Sequence, residues 1–354
     1  MEKIKWGVLG TAKIGATQII PALMRSKNSE FYAIASRDIS KLTAFEGKCK
    51  KLYGSYEELL SDEEIKAVYI PLPNHLHCEW TVKALNAGKH VLCEKPLAMN
   101  YEECVKMAEA AKRNNRYLME GFMYRHTNKS KMIADIIKSG RLGPIQYIRS
   151  EHGFEINDPK NVRLRKETGG GALFDMGCYP VNFCNWIAKL TGTKLESSHG
   201  FFVTRQDMDG DYVDARSNAQ LNYENGMTAV AASWIDAVPH AYSEIFGRYG
   251  KLLIPFSFTD DPIPMQLTWY DYESDPMCKE QEIMFMPHEY FRHEQFLPEP
   301  SDRYCMEVSE LSNAILEGRE PSFTMEESLT NMKVIDELYA TMTPNEKSPA
   351  IMRY

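Results

Sequence analysis

The chain has 354 residues, with 41 Lys and Arg against 49 Asp and Glu and a formal charge of −8, and its length predicts two domains. Hydrophobic residues at 44% and charged residues at 25% describe a globular protein that buries its own cores without staples. The acidic balance argues against nucleic acid as the main partner, and no apolar run is long enough to span a membrane. Met1 to Trp6 lacks the apolar region of a signal peptide, so a cytoplasmic protein is expected. The eight cysteines, Cys49, Cys78, Cys93, Cys104, Cys178, Cys184, Cys278 and Cys305, form no CxxC pair and no zinc spacing with the nine histidines. They predict free, buried thiols and no metal site.

In chain order, Ile4 to Gly10 reads as a strand and Ile14 to Met24 as a helix. Phe31 to Ser36 is a second strand, Ser40 to Cys49 a short helix, and Leu52 to Gly54 a strand stub. Ser55 to Leu60 is helical, with Ser55 and Glu58 spaced as a capping box. Strands at Ala67 to Leu72, His90 to Cys93 and Tyr117 to Phe122 alternate with helices at His77 to Ala87, stopped by Gly88, and at Tyr101 to Asn114, capped by Asn100. Such near-continuous apolar strands are buried on both faces, which implies a parallel sheet with helices on each side.

After Tyr124 the rhythm changes. A helix at Lys129 to Ser139 leads to an alternating, antiparallel-like strand at Ile145 to His152. The run Gly169-Gly170-Gly171 then opens a helical stretch to Leu190. From His199 to Met286 come short alternating runs, including Ala229 to Ile235 and Gln266 to Tyr272, parted by Asp209-Gly210 and Asn225-Gly226 turns. Helices return at Asp302 to Glu317 and Met325 to Met342. The expected architecture is a doubly wound α/β domain over residues 1–124, then an α+β domain with a large, mostly antiparallel sheet over 125–354.

The first strand runs into Gly10-Thr11-Ala12-Lys13-Ile14-Gly15, a dinucleotide fingerprint with alanine in place of the middle glycine. Gly10 permits the tight turn, Ala12 is small enough for a pyrophosphate to approach the backbone, and Gly15 allows close helix–strand packing. The helix N-terminus supplies N–H groups and partial positive charge, which makes Gly10, Thr11, Ala12 and Ile14 the candidate phosphate contacts. A strand before the motif, a helix after it and a second strand at the right distance together predict a Rossmann-type domain. The end of the second strand, where an acid would bind the ribose diol, holds Ser36 and Arg37. A hydroxyl donor and a guanidinium suit a 2′-phosphate, so NADP(H) is expected over NAD(H), unless the loop turns Asp38 toward the ribose.

Another strand exits through Glu94-Lys95-Pro96, and in a doubly wound sheet ligands sit beyond the carboxyl ends of the strands. Lys95 is thereby placed at the cofactor crevice, with Glu94 beside it, and Pro96 is a candidate cis residue. In the segment from Gly169 to Pro180, Asp175 and Tyr179 are four apart, on one face if the segment is helical. Pro180 requires the helix to start near it or to kink. A carboxylate and a phenol on one face can bind a sugar hydroxyl and exchange its proton. A half-buried tyrosine beside a hydrogen-bonded acid on a packing helix is the structural alternative.

With the early GxAxxG turn, Pro73-Asn74-His75-Leu76-His77, Glu94-Lys95-Pro96, Glu120-Gly121-Phe122-Met123-Tyr124-Arg125 and Gly169 to Tyr179 together, the chain resembles the glucose-fructose oxidoreductase / inositol dehydrogenase / rhizopine catabolism (Gfo/Idh/MocA) family. The resemblance implies a two-domain NAD(P)-dependent oxidoreductase with its active site between the domains. It makes Lys95 the catalytic lysine near the nicotinamide and maps the family's Asp and His/Tyr pair onto Asp175 and Tyr179. Tyrosine rather than histidine resembles the branch of dimeric dihydrodiol dehydrogenase and NADP-linked xylose dehydrogenase, and makes inositol a poorer substrate. Pro73, Asn74 and His77 would flank the nicotinamide ribose, although His77 equally suits the first turn of the following helix with no ligand. Arg163 resembles a position near cofactor and substrate, or belongs to a solvated basic loop from Lys160 to Lys166.

The expected reaction is hydride transfer between the nicotinamide and a secondary alcohol or carbonyl of a sugar, polyol or dihydrodiol. Which of Lys95 and Tyr179 carries the proton stays open. The rivals are a glycoside hydrolase using tightly bound NAD and a non-enzymatic NADP-binding regulator. Trp186, Trp234 and Trp269 are ring-stacking candidates or core, and Phe285, Tyr290, Phe291 and Phe296 line the site, a subunit contact or the fold's own packing. The resemblance also suggests a homodimer or homotetramer.

Overall fold

A computed structural model describes residues 2–270 and 291–343. Cys278, Phe285 and Tyr290 lie outside the described residues. The chain divides into two units: Met1–His126, Arg165–Gly170 and Asp302–Asp336 form the first, and Thr127–Leu164, Gly171–Ser301 and Glu337–Tyr354 the second. The chain therefore crosses between units more than once, where the sequence suggested a single boundary after Tyr124. No described helix is long and apolar enough to cross a membrane.

In the first unit, strands β1 (Ile4–Leu9), β2 (Ser29–Ala35), β3 (Lys51–Tyr53), β4 (Ala67–Ile70), β5 (His90–Glu94) and β6 (Leu118–Gly121) form one sheet in the order β3-β2-β1-β4-β5-β6. Every pairing is parallel. The chain winds outward one way from β1 to β3, then the other way from β4 to β6. The ends of β1 and β4 thus form the switch point at which such sheets bind ligands.

Helices α1 (Ile20–Arg25), α2 (Tyr56–Ser61), α3 (His77–Asn86) and α4 (Tyr101–Arg113) cover the sheet. Their ends follow the sequence. Ser55 accepts from the Glu58 N–H (3.2 Å) and Asn100 from the Glu103 N–H (2.9 Å), while Gly88 stops α3 at φ +77°. Glu58 reaches back to the N–H of Gly54 rather than Ser55. The helix expected from Ser40 to Cys49 is only a 3₁₀ segment, Ile39–Phe45, capped by Asp38. Its buried residues, Leu42 and Phe45, are three apart, the spacing at which side chains eclipse in a 3₁₀ turn. The later helix α7 (Arg303–Glu317) also belongs here: Trp6 in β1 donates its indole N–H to Ser312 (3.0 Å).

In the second unit, α5 (Asn128–Lys138) precedes β7 (Ile145–Gly153). α6 (Cys178–Leu190) follows, then β8 (Leu195–Gln206), β9 (Tyr212–Tyr223), β10 (Thr228–Trp234), β11 (His240–Gly247), β12 (Gly250–Pro255), β13 (Met265–Tyr270) and β14 (Phe291–Phe296). Among the described residues these eight strands form one sheet, β14-β13-β12-β11-β7-β10-β9-β8. It is antiparallel except at its centre, where β7 runs parallel to β10. Buried and accessible residues alternate along β9 and β10, as expected of a sheet with one face on a core. The turn glycines Gly210 and Gly226 take φ +88° and +84°.

Candidate active site

The nucleotide half is built at the carboxyl ends of the parallel strands. Gly10 leaves β1 at φ +98°, and its N–H donates to Ala35 O (2.8 Å), tying the turn to the end of β2. A Cβ there would press on the Tyr56 hydroxyl (3.2 Å) and Leu72 (3.3 Å), so the turn needs glycine for both conformation and space. The following helix is wound wide over Gly15–Ile19, and no side chain caps its start. Its first N–H groups are thus left for an anion beside Gly10, Thr11, Ala12 and Ile14. Gly15 differs from expectation: an added Cβ would sit 3.5 Å from Pro71 and Tyr69, which is ordinary contact.

Asp38 is the residue on which cofactor choice turned. Its carboxylate accepts from the Ser40 N–H (3.1 Å) and hydroxyl (2.6 Å) and pairs with Lys41 (3.6 Å). The Ser40 hydroxyl first, and the Lys41 charge after it, hold this carboxyl below its usual range. Ser36 is buried and accepts from the Asp38 N–H (3.2 Å), while Arg37 is exposed. A bare glycine turn, an uncapped helix start and a strand end carrying Ser36 and Arg37 with the nearby acid engaged locally fit a dinucleotide.

The loops after β4 and β5 are fastened to each other. His77, the first residue of α3, is fully buried, with Nδ1 2.9 Å from Pro96 O and Nε2 2.7 Å from Leu72 O. Burial pushes its pKa down to about 4, so the ring is neutral and donates to one carbonyl. Buried between these two carbonyls and donating to one of them, His77 is packed into the loops rather than offering a ring to a ribose. Asn74, next to Pro73, donates its amide to Gly169 O (2.8 Å). Glu94 accepts from the Tyr69 hydroxyl (2.6 Å), and the Lys95–Pro96 peptide is cis. Lys95 is half-buried. Glu120 accepts from the Leu97 N–H (2.9 Å), and Arg125 forms a buried ion pair with Glu327 (2.9 Å).

The phenol half lies in the second unit. Leu173–Gly177 forms a wide π-type turn that runs directly into α6, so Pro180 lies inside one continuous helical stretch, just past the wide turn. Asp175 is 7% exposed, and Arg163 donates to it through Nε (2.6 Å). Arg163 is thus engaged by Asp175 rather than lying in a purely solvated loop. The Tyr179 ring is buried edge-on to His152 (5.2 Å, 90°) and against Phe258 (5.4 Å). His152 Nδ1 sits 2.9 Å from His240 O. Trp186 is buried against Phe183, Trp234 stacks on His240, and Arg141 lies over the Trp269 and Phe296 rings. Phe291 packs on Tyr270.

Asp214 holds the start of this segment and had no part in the sequence reading. It is 1% exposed on β9 and accepts from the Leu173 N–H (2.7 Å) and the Tyr339 hydroxyl (2.9 Å). Burial pushes its pKa up to about 6. Gly171 leaves the glycine run at φ +120°, where a Cβ would overlap Asp214 Oδ1. The only signal in the sequence was an acid at an inward position of a strand. His152 and Phe258 were equally silent, since their contact with Tyr179 is made only by the sheet. Among the described residues the cysteines are free, and no cluster could hold a metal ion.

Residues 4–122 match the model of an oxidoreductase family with an NAD-binding Rossmann fold (GFO_IDH_MocA), and residues 131–253 match its C-terminal domain. A D-xylose 1-dehydrogenase (NADP(+)) of Haloferax volcanii is 33% identical over 338 residues, 94% of this chain and 96% of that protein. A trans-1,2-dihydrobenzene-1,2-diol dehydrogenase of Xenopus laevis is 33% identical over 254 residues, 71% of this chain and 75% of the relative. Among solved structures, a 3-ketoreductase from Actinomadura kijaniata in complex with NADP and TDP-benzene is similar with a TM-score of 0.80 and 27% identity, over 96% of this chain and 98% of that one.

Proposed function

The chain belongs to the Gfo/Idh/MocA oxidoreductase family and is an NAD(P)-binding oxidoreductase, and from that premise we propose that it is an NADP(H)-preferring dehydrogenase or reductase acting on a CH–OH group of a sugar, polyol or dihydrodiol. The observation that carries the cofactor preference is the engagement of Asp38 by Ser40 and Lys41, which leaves Ser36 and Arg37 to meet the ribose. The names of the relatives, a xylose dehydrogenase, a dihydrodiol dehydrogenase and a 3-ketoreductase, support the substrate class.

The nicotinamide, when bound, supplies the hydride carrier. Gly10, Thr11, Ala12 and Ile14 hold the pyrophosphate, and Pro73, Asn74 and Glu94 shape the loops that border the nicotinamide. Lys95 and Tyr179 handle the substrate hydroxyl proton, and Asp175, steadied by Arg163, orients the substrate. Replacing a true acid–base group lowers turnover about 10²–10⁴-fold.

The test is a paired screen of NADP⁺ and NAD⁺ with aldoses, polyols and dihydrodiols, followed at the reduced-nicotinamide absorbance. Turnover with NADP⁺ and one substrate class, lost in both Lys95→Met and Tyr179→Phe, is the expected result. Near-normal turnover in both variants would remove the catalytic assignment. Tight cofactor binding without turnover would favour a regulator, and release of free sugar from a glycoside without net redox a hydrolase.

A further inference from the structure

We propose that Glu120 is the positioning residue of the Lys95 turn: its carboxylate anchors the Lys95-Pro96-Leu97 backbone through the Leu97 N–H, and its charge sets how tightly the Lys95 amine holds its proton. The inference rests on the reading of Lys95 as a proton-handling group.

The geometry is local to the first unit. On β6, Glu120 pairs in register with Cys93 on β5, and the next pair is Gly121 with Glu94. The two strands run close there: a Cβ on Gly121 would lie 3.3 Å from Cys93 O and 3.4 Å from Glu94 Cα. Glu120 reaches past its register partner, and Oε1 accepts the N–H of Leu97, two residues beyond Lys95 (2.9 Å). The residue is 2% exposed, and Oε2 is buried with no hydrogen-bond partner.

An acceptor for one buried N–H needs no charge. Glutamine would provide it without the cost of burying a carboxylate. What glutamine cannot provide is a negative charge near Lys95. Burial opposes ionisation of the carboxyl most, the Ser328 hydroxyl and the Leu97 N–H favour it, and of the charged groups Lys95 favours it and Glu94 opposes it. The thiols of Cys93 on β5 and Cys104 on α4 also lie within its influence, as does the Ser328 hydroxyl on α8 (Met325–Ala340). His77, which also feels Lys95, is neutral. Burial raises Glu120 to about 7, so the carboxylate is present above neutrality, where a lysine amine titrates.

The experiment reads Lys95 directly. The full chain, with and without NADP⁺, is trace-labelled with acetic anhydride across pH, and acetylation of Lys95 is quantified by mass spectrometry. In Glu120→Gln, which keeps the acceptor for Leu97, the Lys95 titration shifts down by about one unit or more. NADP⁺ affinity stays within about twofold, and the basic limb of the kcat/KM profile moves to lower pH with the Lys95 titration. An unmoved Lys95 titration in a folded Glu120→Gln overturns the proposal.

Lys95→Met supplies the reciprocal measurement should Glu120→Gln fail to fold. Loss of the ammonium makes Glu120 hold its proton to higher pH, seen as a persistent protonated-carboxyl band in the infrared spectrum. An unchanged carboxyl titration there also overturns the proposal. Shifts in both variants without turnover of any substrate would establish the coupling while removing the dehydrogenase reading, so the two failures are distinguishable.

Discussion

Asp214 allows a sharp test of how the phenol segment is held. Its carboxyl is neutral up to about pH 6 in the folded chain, against an ordinary value of 3.8. Between those values the folded state keeps a proton that the unfolded state has lost, so stability falls as pH rises through the window. A separation of about two units corresponds to roughly 3 kcal/mol over the full range, about half of it above pH 5. Asp214→Asn is neutral throughout and keeps both bonds, accepting from Leu173 N–H and donating to the Tyr339 oxygen. Hydrogen exchange of the α6 amides, compared at matched pH, reads the local stability. Going from pH 5 to pH 8, the variant should gain protection relative to wild type by about tenfold. A difference that stays constant with pH, or runs the other way, would mean that Asp214 does not keep its proton in the folded chain. Asp214→Ala strands two buried donors and should lose about 1–3 kcal/mol for each at every pH.

The glycines divide in a way the fingerprint does not suggest. Gly171→Ala combines φ +120° with overlap of Asp214 and should cost about 2–5 kcal/mol by urea unfolding, whereas Gly15→Ala should stay within about 1 kcal/mol of wild type. Arg37→Ala should raise the NADP⁺ KM about 10–100-fold and leave that for NAD⁺ nearly unchanged, and equal effects on both would return Asp38 to the ribose.

The order of elements in the first unit could be read from the sequence because its strands are apolar throughout and its helix ends carry Ser55, Asn100 and Gly88, which act locally. The motifs were visible for the same reason, but their side chains often serve a different purpose from the one their position implied. Asn74, Glu120 and Arg125 each bind a backbone or side-chain partner distant in sequence, namely Gly169, Leu97 and Glu327, and the His77 ring is lodged between the Leu72 and Pro96 carbonyls. No spacing rule reports such partners. The same holds for Asp214, His152 and Phe258 around the phenol segment, and for α7, which reads as a plain amphipathic helix until Ser312 is found beneath Trp6. The 3₁₀ segment after Asp38 shows the reverse error, where a stretch read as an α-helix makes only a tight segment that buries Leu42 and Phe45, three apart.

These inward-turned groups also set a balance of opposing pH slopes within the first unit. His90 accepts the Tyr117 N–H at Nδ1 (2.9 Å) and, like His77, is pushed down by burial to about 4. Below the unfolded value of 6.5 the unfolded chain takes protons that the folded rings refuse, so each histidine withdraws roughly 3 kcal/mol of stability as pH falls to about 4. Glu120 has the opposite sign: with a folded value near 7 against 4.5, it gains stability over the same descent. The two rings thus pull against Glu120, and the buried Glu307 of α7, its carboxyl likewise pushed up by burial, adds to the side of Glu120. Glu120→Gln removes the opposing slope, so its urea midpoint should drop more steeply than that of wild type between pH 7 and pH 4.5. His77→Gln keeps an amide donor for one of the two carbonyls and should flatten the dependence instead. Parallel profiles for all three proteins would mean that these buried groups do not hold the protonation states their surroundings impose, and with that the coupling of Glu120 to Lys95 would lose its footing.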